Sequence, residues 1–191
     1  MHARDYGYSL LELLMTMAVA ALILTLGLPS FAALKARNAQ RVELNALFHA
    51  VHLARKASIV RKQVVSLCPT ADGTTCSPGT DWSGGFLVFV NGDRDEPPEL
   101  DDGEILLDRH LASRYTKVTA NRRGFTLRAT FLRATNGTLV VCDRAGRVAP
   151  RALVVSYTGR PRVADRGPRG DRKSTRLNSS HCTVSRMPSS A

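Results

Sequence analysis

Two arginines two residues apart, Arg160 and Arg162 in Gly159-Arg160-Pro161-Arg162, form the spacing most suited to chemistry in this chain. Pro161 biases the segment toward an extended backbone, in which alternate side chains share a face, so both guanidinium groups can point the same way. Paired guanidinium forks suit phosphate oxygens, and neutralising phosphates releases counterions and gives salt-dependent affinity for DNA. Between residues 144 and 170 stand seven arginines against one acid, Asp165, so Arg147, Arg166 and Arg169 are further candidates for the same basic surface.

Other chemistry-bearing groups are weaker. Seven acids lie between residues 93 and 104, but they lack regular calcium-ligand spacing and two prolines interrupt them, so a solvated loop or a subunit-docking patch is the simpler expectation. His49 and His52 fall three apart on a helical stretch without a third ligand, and no metal is expected there. No GxSxG, HExxH or phosphate-binding glycine loop occurs, so the chain reads as an interaction protein rather than an enzyme, with no cofactor. Glu12 is different: it is a lone carboxylate inside an otherwise apolar run, where a charge is costly and ordinarily has a dedicated partner.

The elements that must position these groups follow from hydropathy. Residues 10–28 form a nineteen-residue apolar stretch broken only by Glu12, Thr16, Thr25 and Gly27, long enough to span a bilayer as a helix. Beyond Pro29, which is expected to kink the helix, Phe31, Leu34, Leu44, Leu47, Phe48, Val51, Ala54 and Ile59 recur at mostly helical spacing with basic residues between them. This predicts an amphipathic continuation over residues 29–62. From residue 63 the pattern turns to short β-like runs at 63–67, 85–90, 104–108, 115–120, 124–132, 138–142 and 152–157, which gives an α+β fold with a β-rich head over residues 63–164. Trp82 reads as a core or hairpin-anchor residue.

Residues 171–191 show no periodicity. Read back into codons, residues 171–181 and, after an index-sized gap, 185–191 resemble one sequencing-library adapter in a single frame, so this stretch is set aside as adapter-derived, leaving 165–170 as a basic tail. Residues 1–170 then carry 23 Lys and Arg against 15 Asp and Glu, a net charge of +8, and three cysteines, Cys68, Cys76 and Cys142. An odd count allows one disulfide and one free thiol.

The stretch "GYSLLELLMTMAVAALILTLGLPSF" resembles the class III signal of type IV pilins and pseudopilins. The resemblance implies a leader over residues 1–7, cleavage by a prepilin peptidase after Gly7, N-methylation of Tyr8, and a filament-assembly role for Glu12 opposite a neighbouring subunit's new amino terminus. The segments "SLCPTADGTTCSPGTDWSGGFLVFVNGDRD" and "LVVCDRAGRVAPRALVVSYTGRPRV" resemble the FimT/GspH branch of that family. It implies a type IV pilin-like fold, with the long helix packed on a C-terminal antiparallel sheet, a single pass through the bacterial inner membrane, contact with its lipid, and a periplasmic head that joins other pilins in a pilus or pseudopilus. In that oxidising compartment Cys68 with Cys76 is the expected disulfide, with a bridge from either to Cys142 as the rival. Gly159-Arg160-Pro161-Arg162, placed just after the last expected strand, resembles the GRxR motif of minor pilins that bind DNA in natural transformation. The alternative is a GspH-like structural pseudopilin of a type II secretion system.

Overall fold

The structure is a computed structural model that describes residues 9–129, 134–164 and 182, with the backbone alone for residues 26–29. Two compact units divide at residue 35. Helix α1, Leu10–Arg61, begins in the first unit and ends in the second.

In the first unit Ser9 starts the helix. Its Oγ accepts the amide N–H of Glu12 at 3.2 Å and its carbonyl accepts that of Leu13, so Ser9-Leu10-Leu11-Glu12 has the Ser-x-x-Glu arrangement of a capped helix start. The helix is long and apolar enough to cross a membrane, and Leu10, Met17 and Ile23 turn their side chains outward. Two hydroxyls of the apolar stretch donate back to helix carbonyls, Thr16 to Leu13 at 2.8 Å and Thr25 to Leu22 at 3.0 Å, so neither hydroxyl proton is left unpaired. The helical backbone is unbroken at Pro29.

The second unit wraps two four-stranded antiparallel sheets about the later part of α1. One sheet has the order β3-β2-β1-β5, formed by β1 (Val65–Pro69), β2 (Gly85–Val90), β3 (Ile105–Leu111) and β5 (Phe125–Leu127). The other has the order β4-β6-β7-β8, formed by β4 (Thr116–Ala120), β6 (Gly137–Asp143), β7 (Arg151–Val155) and β8 (Pro161–Ala164). Leu44, Leu47, Val51 and Ala54 of the helix meet Val65, Leu67, Val88, Val118, Leu139, Val141, Leu153 and Val155, so one core joins helix and both sheets. The helix ends at Lys62, whose φ of 55° takes the left-handed conformation that stops helices.

Several expectations change here. The antiparallel β-rich head is present as two sheets, and an eighth strand, β8, follows the last one expected. The continuous run in β2 is apolar on both faces because Leu87 and Phe89, with Cys68, form a second cluster against Cys76 and Leu100. Ile59 is exposed while Ser58 beside it is buried, and Phe31 and Leu34, in the first unit, are also exposed. Two polar residues occupy the inward stripe instead. Gln40 donates through Nε2 to the carbonyls of Val141 at 2.9 Å and Ala149 at 3.0 Å, which ties α1 to β6 and the loop after it. The Glu43 carboxylate meets His110 Nε2 at 3.2 Å and accepts the Ser113 amide at 3.3 Å, which ties α1 to β3. Each bond satisfies a polar group that would otherwise be costly inside the core.

Candidate nucleic-acid interface

The turn between β7 and β8 is built by its own polar residues. Ser156 donates its amide to the Arg160 carbonyl at 3.1 Å, Gly159 donates to the Ser156 carbonyl at 2.8 Å, and the Arg160 amide donates to Ser156 Oγ at 3.2 Å. Gly159 takes a φ of +68°, which suits glycine, and it is packed against Leu127 and Ala134. The turn is thereby held on the body of the head.

Val155 pairs with Pro161 and Val154 with Arg162, so Arg162 belongs to the strand instead of following it. Proline is tolerated at this position because it opens an edge strand. Pro161 is buried, whereas Arg160 and Arg162 on either side are exposed, consistent with the strand alternation that puts them on a common face. Neither has an ion-pair partner among the described residues. Their charges are therefore available to an external anion.

Arg147 is not equivalent to them. Its Nη2 and Nε bind the two carboxylate oxygens of Asp143 at 2.8 and 2.9 Å, and its amide adds a third bond at 2.9 Å. Those bonds hold the Asp143 carboxyl below the usual carboxylate range, the Arg147 side chain contributing most. Arg147 is thus ion-paired in a hairpin brace and, unlike Arg160 and Arg162, meets an external phosphate only in competition with Asp143. Arg144 directs Nε to the Thr116 carbonyl at 2.9 Å. Arg166 and Arg169 lie outside the described residues, as do Gly7 and Tyr8. Glu12 is exposed in the first turn of α1.

The cysteines pair as Cys68 with Cys76, Cα atoms 5.6 Å apart, and Cys142 with Cys182 at 5.9 Å. The first bridge closes a loop that Asp72 organises by accepting the amides of Thr74 and Thr75 and the Thr74 hydroxyl; these bonds, led by that hydroxyl, keep its carboxyl well below the ordinary range. The second replaces the free Cys142 thiol expected when Cys182 was set aside with the adapter-like stretch.

Several carboxylates of the acidic loop are engaged within the protein. Asp95 accepts from Asn91 Nδ2 at 2.8 Å and the Glu99 amide at 2.7 Å, Glu104 accepts the Gly92 amide at 2.6 Å, and Glu96 pairs with Arg128 at 2.8 Å. Burial raises the Asp95 pKa above the ordinary value. Among the described residues no three acids, histidines or cysteines converge on a metal position. His49 and His52 instead set their rings against Phe48, at 6.0 and 4.6 Å between centroids. Trp82 is buried in the core, edge-on to Phe125, with its indole N–H donated to the Arg122 carbonyl at 3.3 Å.

Sequence periodicity passes over one further cation. Arg55 of α1 reaches the underside of the β7–β8 turn, its Nη1 standing 3.5 Å from where a Cβ on Gly159 would lie. Its place beside buried Ala54, at the margin of the apolar stripe, was the only local signal.

No curated protein matches the chain. Among solved structures, the type IV minor pilin FimU of Pseudomonas aeruginosa is similar at 20% identity over 67% of this chain and 91% of that one, with a TM-score of 0.46. In a second crystal form it gives 19% identity, 67% and 90% coverage and a TM-score of 0.48. The minor pseudopilin EpsH of the Vibrio cholerae type 2 secretion system is similar at 8% identity, over 65% of this chain and 94% of that one, with a TM-score of 0.46. The family described as type II transport protein GspH matches residues 43–159, from the buried helix face through both sheets to the Gly159 turn. That match spans more than half of the chain, which belongs to the family described as type II transport protein GspH.

Proposed function

We propose that the chain is a minor type IV pilin that binds extracellular DNA for uptake in natural transformation. A prepilin peptidase cuts it after Gly7 and methylates Tyr8, the apolar helix holds it in the inner membrane with the head in the periplasm, and Glu12 recruits it into a filament of other pilins. The observation that supports the DNA role is the exposed pair Arg160 and Arg162, on one face of an edge strand and without an acidic partner among the described residues. A groove-independent pair of this kind contacts phosphates, so its affinity is largely sequence-independent and falls with salt.

The test uses the full-length chain in detergent micelles. Arg160→Ala combined with Arg162→Ala is expected to weaken binding to a duplex oligonucleotide and to lower the slope of log affinity against log salt by about 2. An unchanged slope and affinity would remove the DNA role. Assembly has its own test: Glu12→Ala is expected to leave membrane insertion intact and to abolish incorporation into filaments, and normal incorporation would count against the role assigned to Glu12.

A second reading, a structural pseudopilin of a type II secretion system, draws on the type II transport description of the matched family. Deleting the gene separates the two: loss of secretion with normal transformation favours the second, and the reverse favours the first.

A further inference from the structure

Arg55 is half-buried on α1, and its Nη1 is fully enclosed with no hydrogen-bond partner among the described residues. A buried guanidinium N–H left unpaired carries a desolvation cost, and native proteins leave few such groups without a reason. No described carboxylate pairs with it. What lies beside it is the turn carrying Arg160: a Cβ added at Gly159 would stand 3.5 Å from Nη1, and Arg160 is the next residue along the chain. Arg55 therefore lies under the turn that carries Arg160 and leads into the strand of Arg162.

We propose that Arg55 is a third phosphate-binding residue of this interface, a proposal that rests on the DNA reading of Arg160 and Arg162. A phosphate seated on Arg160 and Arg162 supplies the acceptor oxygens that the described residues do not offer Arg55 Nη1. The long side chain swings its head toward the turn surface while its stem stays against the core. Arginine suits the task better than lysine because, once the head has swung outward, its planar fork can offer two N–H groups to one phosphate. Gly159 serves the arrangement through its left-handed φ, which shapes the turn above Arg55.

The experiment compares three variants of the full-length chain in detergent micelles, reading duplex-DNA affinity across salt concentrations and thermal midpoint together. Arg55→Met keeps an apolar stem of similar length and deletes the orphan donor. It is expected to hold or raise the midpoint, to weaken binding about fivefold at low salt, and to lower the salt slope by about 1. Arg55→Lys keeps the charge and is expected to retain the slope while losing part of the affinity. If Arg55→Met leaves slope and affinity unchanged while the Arg160→Ala, Arg162→Ala variant lowers both, Arg55 is no part of the interface and the proposal is overturned. A lowered midpoint with an unchanged slope would mark a structural role and overturn it equally. If the double variant itself changes nothing, the DNA reading falls, and with it the proposal.

Discussion

Gly85→Ala is expected to destabilise the head by about 3 kcal/mol or more, because it combines backbone strain with a backbone collision. Gly85 opens β2 with a φ of +137°, a conformation that L side chains rarely adopt, and an added Cβ would collide with the His110 carbonyl on β3. The other neighbour is Leu111 Cα at 3.0 Å, so no flexible side chain can yield. Relief requires β2 and β3 to separate, and that pairing extends from Gly85 with Leu111 to Val90 with Ile105. Gly146→Ala is the matched control: it also has a positive φ, +68°, but nothing stands within 4 Å of the new Cβ. Only conformational strain of about 1 kcal/mol is expected there. Thermal unfolding of both variants checks the contrast, with a fall of roughly 10 °C for Gly85→Ala against a few degrees for Gly146→Ala. Equal shifts would mean that strain alone matters at both sites.

That pair of glycines also shows what could be read from the sequence. In Asp-Trp-Ser-Gly-Gly-Phe the turn into a strand was visible, and β2 starts where the apolar run begins, because composition changes abruptly from turn residues to Phe, Leu and Val. The apolar first half of α1 was equally legible as a helix, since nineteen nearly uninterrupted apolar residues leave few other structures. β8 was not, because Pro161 argues against a strand unless the edge position is known, and edge positions depend on pairing with β7. The Arg160 and Arg162 pair was legible by spacing, whereas Arg55 was not, since its relation to Gly159 spans about a hundred residues of chain. Arg147 shows the converse error. Counted as free charge in a basic cluster, it is bound by Asp143 four residues earlier, and this contact belongs to a hairpin loop rather than to a helix, where such spacing is usually considered. Charge counts locate a basic region, but only local geometry separates the arginines that brace the fold from those that face outward.

Glu43 and Gln40 break the rule that an inward helix stripe is apolar, and the Glu43 contact sets the second large effect. Glu43 is 2% exposed, and its carboxylate faces His110 Nε2 and the Ser113 amide, while the His110 ring stacks on Phe86 at 5.0 Å between centroids. His110→Ala leaves a buried carboxylate with one backbone donor, and removing one partner of a buried pair is costly, here about 3 kcal/mol near pH 6. The hydrogen bond to Glu43 does most to raise the His110 pKa, with the Glu43 and Asp108 charges adding to it and burial opposing it. The folded head therefore holds this proton more tightly than the unfolded chain does. The stability it contributes is fully present below the unfolded value of about 6.5 and is lost as pH rises through the higher folded value. The thermal midpoint of the wild-type chain should accordingly fall as pH rises from about 6 through neutrality, and His110→Gln, which can still donate to Glu43 but cannot titrate, should lack that component. The same midpoint decline in His110→Gln as in wild type would assign the pH dependence to other groups. A small effect of His110→Ala at pH 6 would show that the Ser113 amide alone suffices for Glu43. With the expected result, the join between α1 and β3 is an ionic contact that strengthens in acid, set on the opposite sheet from the arginine turn, so acid should stabilise the head without altering Arg160 and Arg162.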